Sequence, residues 1–145
     1  MGAHKAEQSA VIAADRQVCF EAVCDFETYP QWQSAVKRCD VLERDTDGRG
    51  SLIETVIDAK LKRVRYVLRY HYEPPARIWW DYVEGDVKSI DGDYEFEDLG
   101  DGSTHAIYRL AIAPGRLLPG PLRKVLTDQV MKTSVKELKT RVEDA

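Results

Sequence analysis

Between Val36 and Ile112 the chain alternates hydrophobic and polar residues, the period-two pattern of β-strands with one buried face. The clearest run is residues 64–72, VRYVLRYHY, in which Arg65 and Arg69 share one face. The other face is apolar and aromatic: Val64, Tyr66, Leu68, Tyr70 and Tyr72. Sequences rich in Gly, Pro and Asp separate this run from its neighbours and indicate turns. The pattern therefore predicts about six antiparallel strands joined by hairpins.

The other strands of this meander carry further aromatic rings at their inward positions. Alternation groups Ile78, Trp80 and Tyr82, then Ile90, Tyr94 and Phe96, and finally Ala106, Tyr108, Leu110 and Ile112. Rings with hydroxyl groups suit a pocket that is mostly apolar and contains a few polar groups. The alternative is that individual tyrosines reach the surface at strand ends and hydrogen-bond to water. Gly92 interrupts one strand, and we interpret it as a bend because the inward alternation resumes at Tyr94.

Before the meander, the sequence predicts a short strand near residues 10–13 and then two short helices. Asp15 is a suitable N-cap for the first helix, and the proline after Tyr29 disfavours helical geometry at that tyrosine. The connecting sequence, DFETYPQW, places three rings close together: Phe26, Tyr29 and Trp32. These rings either line the rim of a cavity or close the end of an ordinary core.

After the meander, a loop over residues 113–121 with several Pro and Gly residues leads into one long helix. Residues 122–142 contain neither Gly nor Pro and many helix formers. Val135, Leu138 and Val142 form one apolar stripe of this helix, whereas Leu126 and Val130 point in another direction. We therefore expect the second half of the helix to anchor on the sheet and the first half to form a wall of a ligand cavity.

Length and composition restrict the class of protein. With 145 residues, 43% of them hydrophobic, the chain suffices for a single domain over residues 1–145, with residues 1–7 as a flexible tail. A formal net charge of −4 gives no general attraction for DNA. Three cysteines argue against a disulfide framework, and the first residues lack the apolar run of a signal peptide. No transmembrane segment is predicted, so we expect a cytoplasmic protein, with transient membrane contact as a further option.

No group of side chains in the sequence indicates catalysis or metal binding. The three histidines, His4, His71 and His105, lie in the tail or at outward positions, so neither a metal site nor a cofactor is predicted. Cys39 is interpreted as a core residue. The catalytic candidates are Glu54 and Arg38, which could act as an acid, a base or an anion clamp if they point inward, and one of the inward tyrosines. Charged residues on strands are more often solvated.

A first strand, two short helices, a meander of strands and a long C-terminal helix, in this order, resemble the START-like (SRPBCC) superfamily with the helix-grip fold. The matching sequences are FEAVCDFETYPQW near the start, SIDGDYEFEDLGDGST in the late hairpin and VKELKTRV in the last helix. Within the superfamily the chain is most similar to the bacterial polyketide cyclase/dehydrase and coenzyme Q-binding group. The resemblance implies an α+β fold in which a curved antiparallel sheet wraps around the C-terminal helix and leaves a cavity between them.

The resemblance and the inward rings predict a protein that binds or transports a hydrophobic small molecule, such as a lipid, an isoprenoid quinone or a polyketide-like compound. The expected ligand-binding residues are Trp32, Tyr66, Leu68, Tyr70, Trp80, Tyr82, Tyr94, Phe96, Tyr108, Leu110, Leu126 and Val130. The first alternative is an aromatase/cyclase-type enzyme, which needs an acid or base inside the cavity. The second is an interaction protein that uses a basic strand face, formed by Lys60, Lys62, Arg63, Arg65 and Arg69. A charged side chain deep in the cavity favours the enzyme, and an apolar and phenolic lining favours a carrier.

Overall fold

Seven strands form one antiparallel sheet in the computed structural model, which describes residues 4–58, 62–113, 128 and 134–144, with the backbone only for residues 4 and 5. The strands are β1 (His4–Ile12), β2 (Val36–Arg44), β3 (Gly50–Asp58), β4 (Arg63–Glu73), β5 (Arg77–Gly85), β6 (Ser89–Asp98) and β7 (Thr104–Ala113). Their order across the sheet is β1-β7-β6-β5-β4-β3-β2. The predicted meander of about six strands is thus confirmed as β2 to β7, in which each strand pairs with the next one along the chain.

The first strand is longer than the sequence pattern predicts. The alternation predicts a short strand near residues 10–13 after a tail over residues 1–7, whereas β1 begins at His4. β1 pairs with β7 over its whole length, starting with His4 opposite Ile112. The sequence at its start, HKAEQS, has few residues with a high β-propensity. The strand therefore depends on hydrogen bonds to a distant segment, which local periodicity does not reveal.

Three short helical segments connect β1 to β2. Helix α1 spans Arg16–Cys24, a single 3-10 turn spans Phe26–Thr28, and helix α2 spans Tyr29–Trp32. Tyr29 begins α2 with helical angles, φ −49° and ψ −43°, so the expectation that the following proline keeps it out of helical geometry is wrong. Pro30 lies in the first turn of α2, where its missing N–H leaves no helical hydrogen bond unmade. Helix α1 packs against β6 and β7 and covers one end of the inner face of the sheet. Its buried side chains are Cys19, Phe20 and Val23.

The described part of the last helix, α3, covers residues 134–143. Val135, Leu138 and Val142 are buried in the same core cluster as the inward strand residues, as the predicted apolar stripe requires. No helix within the described residues is long and apolar enough to cross a membrane. Most of the predicted loop over residues 113–121 and the first half of the predicted helix lie outside the described residues.

Two carboxylates of α3 join the helix to the N-terminal part of the chain. The backbone N–H of Ala13 donates to Glu143 Oε2 over 2.8 Å, and the backbone N–H of Ser34 donates to Glu137 Oε1 over 2.9 Å. The first contact lies just after β1, and the second lies just after α2. The helix is therefore fixed at two points beside the inner face of the sheet.

Candidate functional site

A cavity lies on the inner face of the sheet, next to α2 and α3. Its volume is about 60 Å³, measured as the space open to the centre of a water-sized molecule. It is bounded by strands β3 to β7, by the segment from α2 to the start of β2, and by α3.

Several residues expected to bind a ligand line this cavity together. They come from four neighbouring strands, and the pairing of these strands sets them side by side: Tyr70 lies opposite Trp80, and Tyr94 lies opposite Tyr108. The full set is Tyr66, Leu68, Tyr70, Trp80, Tyr94, Tyr108 and Leu110. The period-two alternation of the strands brings all of them to one face.

Two further expected residues pack next to the lining residues but do not line the cavity themselves. The hydroxyl of Tyr82 donates to the backbone carbonyl of Val87 over 2.5 Å. Phe96 is 1% exposed and stacks on Tyr94 with ring centroids 5.8 Å apart. Leu126 and Val130, also expected to bind ligand, lie outside the described residues.

The aromatic residues of DFETYPQW divide between the two predicted roles. Phe26 is 1% exposed and belongs to the core, where its ring centroid is 4.7 Å from that of Tyr70. Tyr29 lines the cavity, and its hydroxyl donates to the backbone carbonyl of Val23. Trp32 does not line the cavity; it packs edge-on against Tyr29 with ring centroids 5.3 Å apart.

Sequence reasoning did not assign the remaining lining residues to the site. Two of them, Ile90 and Ile112, fall at inward positions of the alternating pattern. This pattern could have assigned both residues to the cavity. The others belong to the segment after α2, to β3 and to α3, where no local period indicates the cavity. The complete set of these unassigned residues is Gln33, Ala35, Val36, Thr55, Ile57, Ile90, Ile112 and Ser134.

The tyrosine hydroxyls fall into two groups according to their hydrogen bonds. Those of Tyr29, Tyr72 and Tyr82 donate to backbone carbonyl oxygens. The other four tyrosines line the cavity, and their hydroxyls form no hydrogen bond within the described part of the chain: Tyr66, Tyr70, Tyr94 and Tyr108. Buried polar groups almost always have a partner. These four hydroxyls are therefore available to water or to a ligand in the cavity.

The protein environment keeps these four hydroxyls protonated. Burial raises the pKa of each of them above the ordinary value for tyrosine. Neighbouring ionisable groups, mostly other tyrosines, raise the pKa further. At neutral pH each hydroxyl is thus uncharged and can both donate and accept a hydrogen bond.

The two charged catalytic candidates lie on the opposite face of the sheet. Thr55 lines the cavity, so the preceding residue, Glu54, points away from it. Glu54 accepts hydrogen bonds from Arg65 Nε over 2.7 Å and from Arg38 Nη2 over 2.8 Å. The hydrogen bond from Arg65 is the main cause that lowers the pKa of Glu54. None of the described residues that line the cavity is charged.

The basic strand face is partly neutralised by carboxylates. Arg65 pairs with Glu54 and also with Glu84, over 3.0 Å. Arg63 and Arg69 are exposed on the same strand. Lys62 is also exposed, and Lys60 lies outside the described residues. The described part of this face therefore combines positive and negative charge.

The remaining ionisable groups of interest occupy ordinary structural positions. His71 Nε2 is 2.8 Å from Asp81 Oδ2 on the outer face. Burial raises the pKa of the Cys39 thiol to about 12, which disfavours the thiolate needed for nucleophilic attack. In the part of the chain that the structure describes, no group of three or more His, Cys, Asp or Glu side chains could hold a metal ion.

A seven-stranded antiparallel sheet with a C-terminal helix beside an internal cavity is the architecture of START-like proteins, and solved structures agree with this class. A START superfamily protein from Mycobacterium smegmatis matches with a TM-score of 0.85 and 26% identity, over 97% of this chain and 98% of that protein. The ZhuI aromatase/cyclase from a Streptomyces species matches with a TM-score of 0.82 and 16% identity, over 97% and 94%. A protein from Thermus thermophilus matches with a TM-score of 0.81 and 21% identity, over 97% and 98%. At their lower identities, the latter two matches show a shared fold.

The chain belongs to the polyketide cyclase / dehydrase and lipid transport family, whose model matches residues 12–139. Among curated proteins, no sequence matches it significantly. The resemblance predicted from the sequence is therefore confirmed at the level of superfamily and family, as is the α+β fold with a curved antiparallel sheet and a C-terminal helix.

Proposed function

We propose that the protein binds a hydrophobic small molecule in the cavity between the sheet and α3, as a carrier and not as an enzyme. The observation that carries this proposal is the lining of the cavity, which in the described residues is apolar, phenolic or otherwise uncharged. A cyclase needs an acid or base positioned at the reacting atoms. Glu54 and Arg38, the charged candidates, lie on the other face of the sheet. Burial raises the pKa of the tyrosines that line the cavity, which makes them weaker acids at neutral pH.

The lining supplies two kinds of interaction with such a ligand. Apolar side chains stabilise the complex through burial, at roughly 25 cal/mol per Å² of apolar area. The hydroxyls without a partner among the described residues orient the polar end of the ligand, and each hydrogen bond contributes about 0.5–1.5 kcal/mol. Lipids, isoprenoid quinones and polyketide-like compounds all combine an apolar body with oxygen atoms. The family description, which names both cyclases and lipid transport, is consistent with ligands of this kind.

Native mass spectrometry of the purified protein tests the proposal directly, followed by extraction and identification of any bound compound. We also expect saturable binding of 2-naphthol, an uncharged aromatic probe with one hydroxyl, in isothermal titration calorimetry. A protein that carries no small molecule and binds no such probe would contradict the proposal.

Removal of two cavity hydroxyls should weaken this binding. Tyr94 and Tyr108, whose ring centroids are 4.8 Å apart, both line the cavity. The double variant Tyr94→Phe/Tyr108→Phe should bind 2-naphthol more weakly, by roughly two- to twelvefold for each hydrogen bond that disappears. The matched control is Tyr72→Phe/Tyr82→Phe, which removes two hydroxyls that donate to backbone carbonyls outside the cavity. Equal affinities in the two double variants would show that the cavity hydroxyls do not contact the probe.

A further inference from the structure

We infer that Trp80 determines the size of the ligand that the cavity accepts. This inference rests on the proposed function, since it concerns the molecules that the same cavity binds. It assigns a specific role to one side chain, and it follows from the position of the indole, from the packing behind it and from the residue opposite it.

Trp80 is the largest member of an aromatic layer formed by Tyr70, Trp80, Tyr94 and Tyr108. The centroid of its ring lies 5.4 Å from Tyr70, 5.9 Å from Tyr94 and 5.7 Å from Tyr108. All four side chains line the cavity. Trp80 is in contact with each of the other three, so it is the central residue of the layer.

Behind the aromatic layer the core is filled. Phe26 packs edge-on against Tyr70, and Phe96 stacks on Tyr94. Phe20 packs against Phe96 with ring centroids 6.2 Å apart. The three phenylalanines are at most 1% exposed. The aromatic layer therefore separates the cavity from closely packed core, and forms its closed end.

Gly92 provides the space that the indole occupies. It lies inside β6 and pairs with Trp80 on β5. A Cβ atom at this position would lie 2.7 Å from Cζ2 and 3.0 Å from Cε2 of Trp80, and 2.4 Å from the backbone oxygen of Arg109. A side chain there would push the indole away or disturb the pairing of β6 with β7. The bare backbone at Gly92 thus fixes the depth at which the indole lies.

Hydrogen bonding does not explain why an indole occupies this position. Trp80 is 3% exposed, and within the described residues its Nε1 is a buried polar atom without a partner. An unpaired buried donor is unfavourable, and a phenylalanine would have none. What the indole adds over a smaller ring is volume. Its effect at the closed end of the cavity is therefore to limit the length of the space available to a ligand.

With the indole in place, the cavity suits a compact ligand. The cavity volume of about 60 Å³ lies well below the roughly 300–1,000 Å³ of most small-molecule pockets. A cavity of this size favours a small fused-ring molecule with one or two oxygen substituents over a larger one. A four-ring molecule would overpack the cavity unless the indole were absent.

The test compares 2-naphthol with 1-pyrenol, which have the same hydroxyl and differ in the number of rings, by isothermal titration calorimetry. Wild type should prefer 2-naphthol by about tenfold or more, because overpacking is unfavourable. Trp80→Leu should lose or reverse this preference. The matched control is Trp79→Leu, because Trp79 lies on the outer face between His71 and Arg77 and should leave the preference unchanged.

Each outcome decides a separate question. If Trp80→Leu is folded by near-ultraviolet circular dichroism and keeps the wild-type preference, the inference is wrong. If Trp80→Leu does not fold, Trp80→Phe replaces it: a reduced preference supports the inference, and an unchanged one overturns it. Equal affinity of wild type for the two probes overturns the inference alone. Binding of neither probe by wild type overturns the proposed function, and the inference with it.

Discussion

A buried phenol without a protein partner keeps its proton to a higher pH than an exposed one. Burial raises the pKa of the four cavity tyrosines whose hydroxyls have no partner among the described residues: Tyr66, Tyr70, Tyr94 and Tyr108. In the unfolded chain the same hydroxyls ionise near the ordinary value of about 10. Below that pH both states hold the protons, and the free energy of unfolding is unaffected. Above it the unfolded state loses protons that the folded state keeps, so stability falls as the pH rises.

The contribution of one tyrosine can be measured. Above about pH 10, each of these hydroxyls should lower the free energy of unfolding by about 1.4 kcal/mol per pH unit, until the pH reaches its folded-state pKa. Above about pH 10, the free energy of unfolding of Tyr108→Phe should fall less steeply with pH than that of wild type, by the contribution of one tyrosine, about 1.4 kcal/mol per pH unit. Urea denaturation at a series of pH values gives the slope for both proteins. Identical slopes would show that the Tyr108 hydroxyl ionises as freely in the folded protein as in the unfolded chain.

Individual residue types could be predicted to face inward, but their hydrogen-bond partners could not. Tyr70 and Tyr72 have the same parity on β4, and the alternation assigns both to the inner face. The hydroxyl of Tyr72 donates to the carbonyl of Gly50 over 2.5 Å, whereas that of Tyr70 has no partner in the described chain. The difference depends on where β3 begins beside β4, which is a tertiary contact.

At the scale of elements, β3 shows why the face of a strand cannot always be read from its sequence. Leu52 and Val56 flank Glu54 at strand spacing, and Ile53 and Ile57 occupy the alternate positions. Both faces of the strand therefore carry apolar residues, and the period does not distinguish them. The pairing with β4 determines which face of β3 is buried, because it places Ile53 and Ile57 next to the inward residues of β4. Glu54 then meets its two arginines on the outer face.

This position of Glu54 gives a prediction that separates stability from binding. Its side chain is 17% exposed and pairs with Arg38 and Arg65, which are 57% and 40% exposed. Glu54→Gln should lower the free energy of unfolding by about 1 kcal/mol, the upper range for partly exposed pairs, in urea denaturation. Its affinity for 2-naphthol should equal that of wild type.

The control for this variant is Glu84→Gln. Glu84 pairs with the same arginine, Arg65, but its side chain is 62% exposed, so a smaller loss of stability is expected. Loss of 2-naphthol binding by Glu54→Gln without loss of stability would contradict the assignment of this carboxylate to the outer face. It would also restore Glu54 as a candidate for the acid or base of an enzyme.

At the scale of the whole molecule, the cavity forms where three separate parts of the chain meet. The sheet supplies the aromatic lining, and its alternation made that part predictable. Gln33, Ala35 and Ser134 come from the segment after α2 and from α3. The hydrogen bond between Ser34 and Glu137, 103 positions apart, holds these two segments together. No local pattern in the sequence indicates a contact over this distance.

Helix α3 should contribute to global stability mainly through its buried stripe. Leu138 is fully buried, and its truncation in Leu138→Ala should lower the free energy of unfolding by about 2–5 kcal/mol, as measured by urea denaturation. Lys136→Ala, at an exposed position of the same helix, should change it by less than about 0.5 kcal/mol. A comparable loss in the two variants would contradict this, because it would show that burial of Leu138 on the sheet is not the main contribution of α3 to stability.

The pairing of β1 with β7 has a consequence for protein synthesis. β1 leaves the ribosome first, yet its partner is the last strand of the sheet, and facing residues such as Glu7 and Arg109 are 102 positions apart. Helix α1 also packs against late strands, β6 and β7. Hairpins β2 to β6 can form as they emerge, because each joins neighbours in sequence. Closing a loop of this length is slow, so we expect the N-terminal strand and helix to remain undocked until β7 is made and to complete the fold by docking last.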